Sequence, residues 1–439
     1  MLNDNLFGQS YDQIKKAVYA NQSANFQILG TPVAYNFSTP GPNQMDPGLY
    51  QFVSVMPVWS ALGTFGQNGT TLFSAYRQLL SNVTFKIDPG KQADLAQQQS
   101  QLNGLYQQQT QVIANTTQAY NVQLANGGDL FKAMYPTIQA WLAGPGSTYQ
   151  TQINGLTTSI NTLSNKYTSD LAAILGGDQT LQQAMNAIQT PSNTPAQGAP
   201  PPGWIAVPNS GGVLQWQPEF VVNPAPAQVT QTLSQGSLGG FTVTLDSSVT
   251  NNSLSQAWAG GNVSYGNSFF SVNAGGNWSS LNIDQSDTSV KVEISVKSSM
   301  LVTVTPGVWY DGGFLANLAQ NTAGGGGYQL ASTWSVAGNP PSAFGQNGLV
   351  STNVAQLVVV YQPSATVTMS QQTFQRNYQM FQGGGGISIG PFTFGGNGGS
   401  VKDYTLTTNG STNFTATSTS TLPQIVGIGV GFPGVGQPE

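Results

Sequence analysis

Asp284 and Asp287, in the segment NIDQSD, form the closest acidic pair in the C-terminal half of the chain. Two carboxylates in one loop are the oxygen donors that Ca²⁺ takes, so they are the candidate metal ligands. The same residues also suit a solvated turn ahead of the alternating segment 289–296, because Asp side chains bond backbone groups two residues on. The turn is the reading the sequence favours.

Beyond this pair the means for chemistry are few. The chain has no histidine and no cysteine, which removes Ser-His-Asp and Cys-His triads, ordinary zinc sites and histidine bases. A glycosidase needs two carboxylates flanking one bond. Here the acids are Glu219, Glu293, Glu439 and thirteen dispersed Asp. Glu293 sits between Lys291 and Lys297 on an alternating segment, where same-face or cross-strand charge pairing accounts for it. The glycine clusters at 324–327 and 383–386 do not lead into the Gly-Lys-Ser/Thr pattern of a phosphate loop. GGNGGSVKD at 395–403 stands alone and departs from a calcium nonapeptide. No catalytic residue and no cofactor is assigned, and the expectation is a protein that is not an enzyme.

Composition points the same way. Of 439 residues only 6% are charged, against about a quarter in an average protein. The apolar share is 39%, with eight Trp, 16 Tyr and 20 Phe, enough for sizeable cores. Lys15 and Lys16 are the only adjacent basic pair, so the basic stripe that nucleic acid requires is missing, as is a polybasic membrane anchor. Sequons such as those at Asn36, Asn115, Asn277 and Asn413 arise by chance in a chain this rich in Asn, Ser and Thr. Trp258, Trp278, Trp309 and Trp334 could build a carbohydrate platform, although core packing is the commoner role for tryptophan.

The elements that would position these groups form an α+β chain. Residues 1–90 read as a mixed segment, with helices over Tyr11–Ala20 and Leu72–Leu80 separated by a proline-punctuated loop. Residues 91–189 read as an antiparallel helical hairpin or small bundle. Ile153, Leu156, Ile160, Leu163 and Tyr167 recur at spacings of three and four, a seam of about two heptads. Leu95, Leu102, Leu105 and Val112 give a looser arm, interrupted by Gln98 and Gln109, and Gly144-Pro145-Gly146 turns the chain between the arms. Residues 190–203, with Pro200-Pro201-Pro202, read as a linker. Residues 204–439 read as a Gly/Ser/Thr-rich antiparallel β domain of sandwich or barrel type, from alternation at 241–246, 289–296, 301–305, 365–370 and 404–408.

Three function classes are open. The first is a self-assembling structural or adhesive protein, since low charge weakens mutual repulsion and strand edges without lysine gatekeepers can pair with other chains. Its partner would be further copies of itself. The second is a membrane-active, pore-forming toxin inserting the helical hairpin or the segment 260–282. A glycan-binding module is the third. The opening residues lack a basic stretch leading into an apolar one, so the expected location is outside the cell or on its surface by a route without a Sec signal, with a cytoplasmic inclusion as the alternative.

Overall fold

The computed structural model describes residues 2–433 apart from 250–267, 321–327, 332–342, 396–402 and a number of shorter stretches. Helices dominate the first half. They are α1 (Leu2–Tyr19), α2 (Pro47–Ser54), α3 (Leu72–Ser81), α4 (Pro89–Asn126), α5 (Ile138–Leu142), α6 (Ser147–Leu175) and α7 (Gln179–Ala187). The strands among them are short: β1 (Phe26–Ala34), β2 (Val55–Pro57), β3 (Gln67–Thr71) and β4 (Val83–Phe85).

The second half is built of strands. It opens with β5 (Trp204–Pro208), β6 (Leu214–Pro218), β7 (Phe220–Asn223), α8 (Pro226–Ser234) and β8 (Thr242–Asp246). Next come β9 (Phe270–Ala274), β10 (Asn277–Ser280), β11 (Lys291–Pro306), α9 (Gly312–Gln320), β12 (Tyr328–Leu330) and β13 (Asn353–Thr368). The last elements are α10 (Gln371–Gly383), β14 (Gly386–Ile389), β15 (Phe392–Gly395), β16 (Tyr404–Asn409), β17 (Asn413–Ser418) and β18 (Gln424–Gly431).

Local chemistry explains several boundaries. Thr71 caps α3 by accepting from the Ser74 amide at 3.1 Å, and Asp46 caps α2 by accepting from the Leu49 amide at 3.0 Å. Asn409-Gly410 closes the β16–β17 hairpin, with Gly410 at φ +73, where a residue bearing a Cβ would be strained. The first helix begins nine residues earlier than Tyr11, the start that periodicity suggested, because polar Asn5 and Gln9 interrupt its apolar stripe.

The helical hairpin forms as expected. α4 and α6 run antiparallel, since Gln98 donates to Asp170 at 2.7 Å and Gln109 donates to Thr157 at 3.0 Å. Within α6, Ile160 and Tyr167 are buried, and Ile153, Leu156 and Leu163 are half-buried. Gln98 and Gln109, which break the apolar pattern of α4, are therefore the residues that bridge the two helices.

The large sheet has an eight-stranded, branched topology around one long ribbon. β11 and β13 pair antiparallel from Lys291↔Thr368 to Thr303↔Gln356. At one end they are flanked by β7 on one side and by β18 then β1 on the other; at the opposite end, by β8 and by β17 then β16. The segments 289–296 and 301–305 read as two strands in the sequence but belong to one. Ser298 occupies an inward position, buried, with its hydroxyl donating to the Leu233 carbonyl at 2.6 Å, so the alternation continues in phase through it.

A four-stranded sheet, β10-β9-β14-β15, packs on one face of this ribbon and gives a sandwich-like core. Alternation along β13 explains the continuous apolar run 357–361: Leu357 and Val359 enter one core, Val358 and Val360 the other. The first core spans residues on both sides of 190–203, including Tyr76, Leu102 and Tyr167 with Trp309 and Ile428.

Candidate functional site

The acidic pair serves its own loop. Asp284 Oδ1 accepts from the Ser286 amide at 2.9 Å and its hydroxyl at 2.7 Å. Asp287 Oδ1 accepts from the Ser289 amide at 2.8 Å and its hydroxyl at 2.6 Å, while Oδ2 accepts from Thr373 at 2.9 Å, tying the loop to the start of α10. Backbone and hydroxyl donors of Ser286 hold Asp284 below the usual carboxylate range. Burial alone would raise Asp287, but the hydrogen bonds from Ser289 and Thr373 outweigh it and lower the group. Asp246 repeats the motif with Ser248, at 2.9 and 2.6 Å. Among the described residues no three acidic groups come together as a cation cage.

The remaining polar candidates are dispersed. Lys291 pairs across the sheet with Asp246 at 3.3 Å, and Lys297 reaches Gln362 at 3.3 Å, so neither expected lysine partner of Glu293 is committed to it. Glu219 uses its backbone carbonyl to accept from the Trp309 indole at 2.7 Å. Trp309 is fully buried among Phe73, Tyr76, Phe220 and Tyr310, and is therefore a core residue rather than part of a glycan platform. Trp258, Trp334, the cluster 324–327 and most of 395–403 lie outside the described residues, as does the side chain of Trp278. Of the segment 260–282, the structure describes a hairpin of β9 and β10, four to five residues per strand, with Phe270 and Val272 buried in the second core.

One ionic group lies deep in the helical half. Arg77 on α3 is 3% exposed, and neutral groups of α6 surround it. Its Nε donates to Ser164 at 3.0 Å, and its Nη atoms donate to the side chain and carbonyl of Asn161 and to Asn165. Burial pushes the guanidinium down from its ordinary value, and the nearby Tyr106 hydroxyl is pushed up to about 12 by its own burial. The node locks the hairpin to the body of the protein. At the hairpin's far end, Tyr120, Trp141 and Tyr149 pack together, and Val122 and Met134 are 52% and 57% exposed.

The most distinctive construction lies at the edges of the large sheet. Asn5, Gln9 and Gln13 share one face of α1, four residues apart, and that face lies along the outer edge of β8. Gln9 donates to the Asp246 carbonyl at 2.9 Å and accepts from the Asp246 amide at 2.9 Å. Gln13 does the same to Thr244, at 2.5 and 2.8 Å, and Asn5 donates to the Val249 carbonyl at 2.8 Å. The two glutamine amides thus replace a neighbouring strand. The rest of α1 buries Leu6, Phe7 and Ile14, with Phe7 edge-to-face on Phe269 at 4.9 Å.

At another edge β1 pairs with β18, Phe26↔Gly429 through Ala34↔Gln424. Here the glycines of GIGVG matter: a Cβ on Gly427 would lie 2.2 Å from the Phe26 ring, and one on Gly429 would lie 2.9 Å from the Tyr19 hydroxyl. Phe26 fills a groove that only glycine leaves open. The first 34 residues therefore close two edges of a sheet whose other strands begin at residue 220. This arrangement could not be anticipated from Gln9 and Gln13, which resemble ordinary solvated helix positions.

A third edge has no strand on its outer side among the described residues. β16, Tyr404 followed by TLTTN, has β17 as its one strand neighbour among the described residues. Thr405, Thr407, Thr408 and Asn409 are exposed, and no charged residue lies within 404–409. No protein-family model, curated protein or solved structure matches the chain.

Proposed function

We propose that this protein is a non-enzymatic building block that associates with copies of itself into a homopolymer, outside the cell or on its surface. The observation that carries the reading is the β16 edge: an exposed strand of threonine and asparagine without a charged gatekeeper, at the rim of a large antiparallel sheet. Such an edge offers unpaired backbone groups to another chain, and Lys or Pro placed there is the usual protection against pairing. Two copies of β16 can pair antiparallel about a two-fold axis.

Contacts of this kind are neutral, so association should change little with salt or between about pH 5 and 8, where no histidine titrates. Light scattering across both ranges tests this, together with Thr405→Lys/Thr407→Lys. Wild-type protein that is monomeric under every condition refutes the reading; association lost in the lysine variant supports it.

A second reading, insertion of the helical hairpin into a bilayer, draws on the exposed Val122 and Met134 near its tip. Among the described residues no helix is long and apolar enough to cross a membrane. Dye release from liposomes by intact protein would favour insertion.

A further inference from the structure

We propose that Asn409 is a site of spontaneous covalent modification, losing its side-chain amide to the following glycine through a cyclic imide and leaving a negative charge on the β16 edge. The consequence for association rests on the self-association reading and adds a chemical clock to it. Asn409 ends β16, and Gly410 opens the turn to β17. No charged residue lies within 404–409, so a carboxylate at 409 gives aged chains an edge charge that fresh chains lack.

Ring closure needs a following residue whose missing Cβ leaves its amide nitrogen open to approach. It also needs that amide to be free of other bonds. Of the Asn-Gly pairs in the chain, those at 103 and 154 lie inside α4 and α6, where each amide is directed at the carbonyl four residues back. Their side chains are engaged as well: Asn103 exchanges two bonds with Asn82 at 3.1 Å, and Asn154 accepts from Gln150 at 2.8 Å. Asn126 ends α4, and the Gly127 amide donates to the Gln123 carbonyl at 2.7 Å. The side chain of Asn68, with Asn347 and Asn397, lies outside the described residues. Asn409 is different. It and Gly410 are both exposed, Gly410 has φ +73, and no atom beyond the adjacent residues lies within 4 Å of where a Cβ would stand. Among the described residues nothing accepts a hydrogen bond from the Gly410 amide. The other side of the turn is anchored, since the Thr412 carbonyl accepts from the Met369 amide at 2.9 Å and Asn413 pairs with Thr368.

The chemistry needs only water. The Gly410 amide nitrogen gives up its proton and bonds to Asn409 Cγ; the Cγ–Nδ2 bond breaks, and the side-chain nitrogen leaves as ammonia. Water then opens the resulting imide at one of its two carbonyls. Opening at Cγ leaves aspartate in an ordinary backbone. Opening at the main-chain carbonyl routes the backbone through Cγ and leaves isoaspartate. One water is consumed and one ammonia released, with no change of oxidation state. Either product carries a negative charge, and every copy brings that charge to the same edge, where like charges oppose strand pairing. Isoaspartate also adds a methylene to the main chain at the Asn409↔Asn413 pair, disturbing the end of the strand.

The test compares fresh and aged wild-type chain with Asn409→Asp and Asn409→Gln. Aspartate supplies one product directly, whereas glutamine keeps an amide whose extra methylene disfavours ring closure. Peptide mapping by mass spectrometry follows conversion at 409 against Asn103, Asn126 and Asn154, and light scattering follows association of the same samples. Helical amides react only after local opening, so conversion at 409 should outpace the other three by at least about tenfold. Aged wild type and fresh Asn409→Asp should both lose association, while aged Asn409→Gln keeps it. Conversion at 409 no faster than at the helical pairs overturns the proposed site. Association of Asn409→Asp equal to that of fresh wild type, or its loss from aged Asn409→Gln, overturns the clock and leaves self-association standing. Fresh wild type that never associates overturns the self-association reading and the clock with it, and the conversion rate at 409 then decides the site alone.

Discussion

Replacing Gln9 and Gln13 together by alanine would strip β8 of the side chains that stand in for a neighbouring strand. Gln9 is 7% exposed and exchanges two hydrogen bonds with the Asp246 backbone. At a net worth of about 1 kcal/mol per bond these contribute about 2 kcal/mol. Gln13 lies in a more exposed position, where water takes over its bonds to Thr244, and adds up to about 1 kcal/mol. The sum of about 2–3 kcal/mol corresponds to roughly 30- to 150-fold at tenfold per 1.4 kcal/mol.

The sensitive assay is amide hydrogen exchange along β8. In a strand the amide and carbonyl of one residue point the same way and successive residues alternate. The Thr244 and Asp246 amides face α1, so those of Val243 and Leu245 face β11. The double variant should speed exchange at 244 and 246 by at least about 30-fold while 243 and 245 stay protected. Gln9→Glu should fall between, because a carboxylate still accepts from the Asp246 amide but has nothing to donate to its carbonyl. Unchanged exchange at 244 and 246 would refute the capping role. Equal acceleration at all four positions would show that α1 holds the whole strand in place rather than its outer edge.

Arg77→Ala should cost about 3 kcal/mol in chemical denaturation, from the lost side-chain volume and the acceptors left on Asn161, Ser164 and Asn165; Arg77→Lys should recover less than half, because an ammonium cannot reproduce the fork. Gly427→Ala places a methyl group 2.2 Å from the Phe26 ring and should destabilise by about 1–3 kcal/mol, with Phe26→Leu restoring part of the loss in a thermal melt. Stability should be flat between about pH 5 and 8 and fall on both sides. Asp246, Asp284 and Asp287 are depressed below 3.8 in the folded chain, so their contribution is present above that value and is lost as pH falls through their folded pKa values. Tyr11, Tyr106 and Tyr310 are raised to about 12, so above pH 10 the unfolded chain ionises first and stability declines, by up to about 1.4 kcal/mol per pH unit for the buried Tyr106; denaturant titrations from pH 3 to about pH 11 read both limbs.

Fold class was legible where one periodicity ran unbroken. The three-and-four spacing through Ile160 and Tyr167 marked α6, and alternation through Val292, Ile294 and Val296 marked half of β11. Legibility failed where polar residues took inward positions. Ser298 inside β11 looks like the end of a strand, because its buried hydroxyl is satisfied by Leu233, a residue 65 positions away that no local pattern contains. Gln98 and Gln109 look like breaks in a seam, yet they join its two sides. Pairing of β1 with β18 links the two ends of the chain, and local signals carry no information about such a partner. For the site, sequence located an acidic pair whose oxygens are occupied by neighbouring serines. It gave no hint of an amide pair that caps a strand edge.

Neutral groups here take positions that charges hold in most proteins. Glutamine amides, rather than lysines, guard the β8 edge; asparagine and serine, rather than a carboxylate, receive Arg77; serine hydroxyls, rather than ion-pair partners, hold Asp284 and Asp287. This difference has a consequence for association. A lysine at an edge repels a second copy, because every copy carries it, and so works as a device against pairing. A glutamine satisfies the edge through a pair of hydrogen bonds and places no like charge in the path of a second copy. Protection of β8 therefore depends on α1 staying docked, and the exchange rates of the Thr244 and Asp246 amides read that dependence directly.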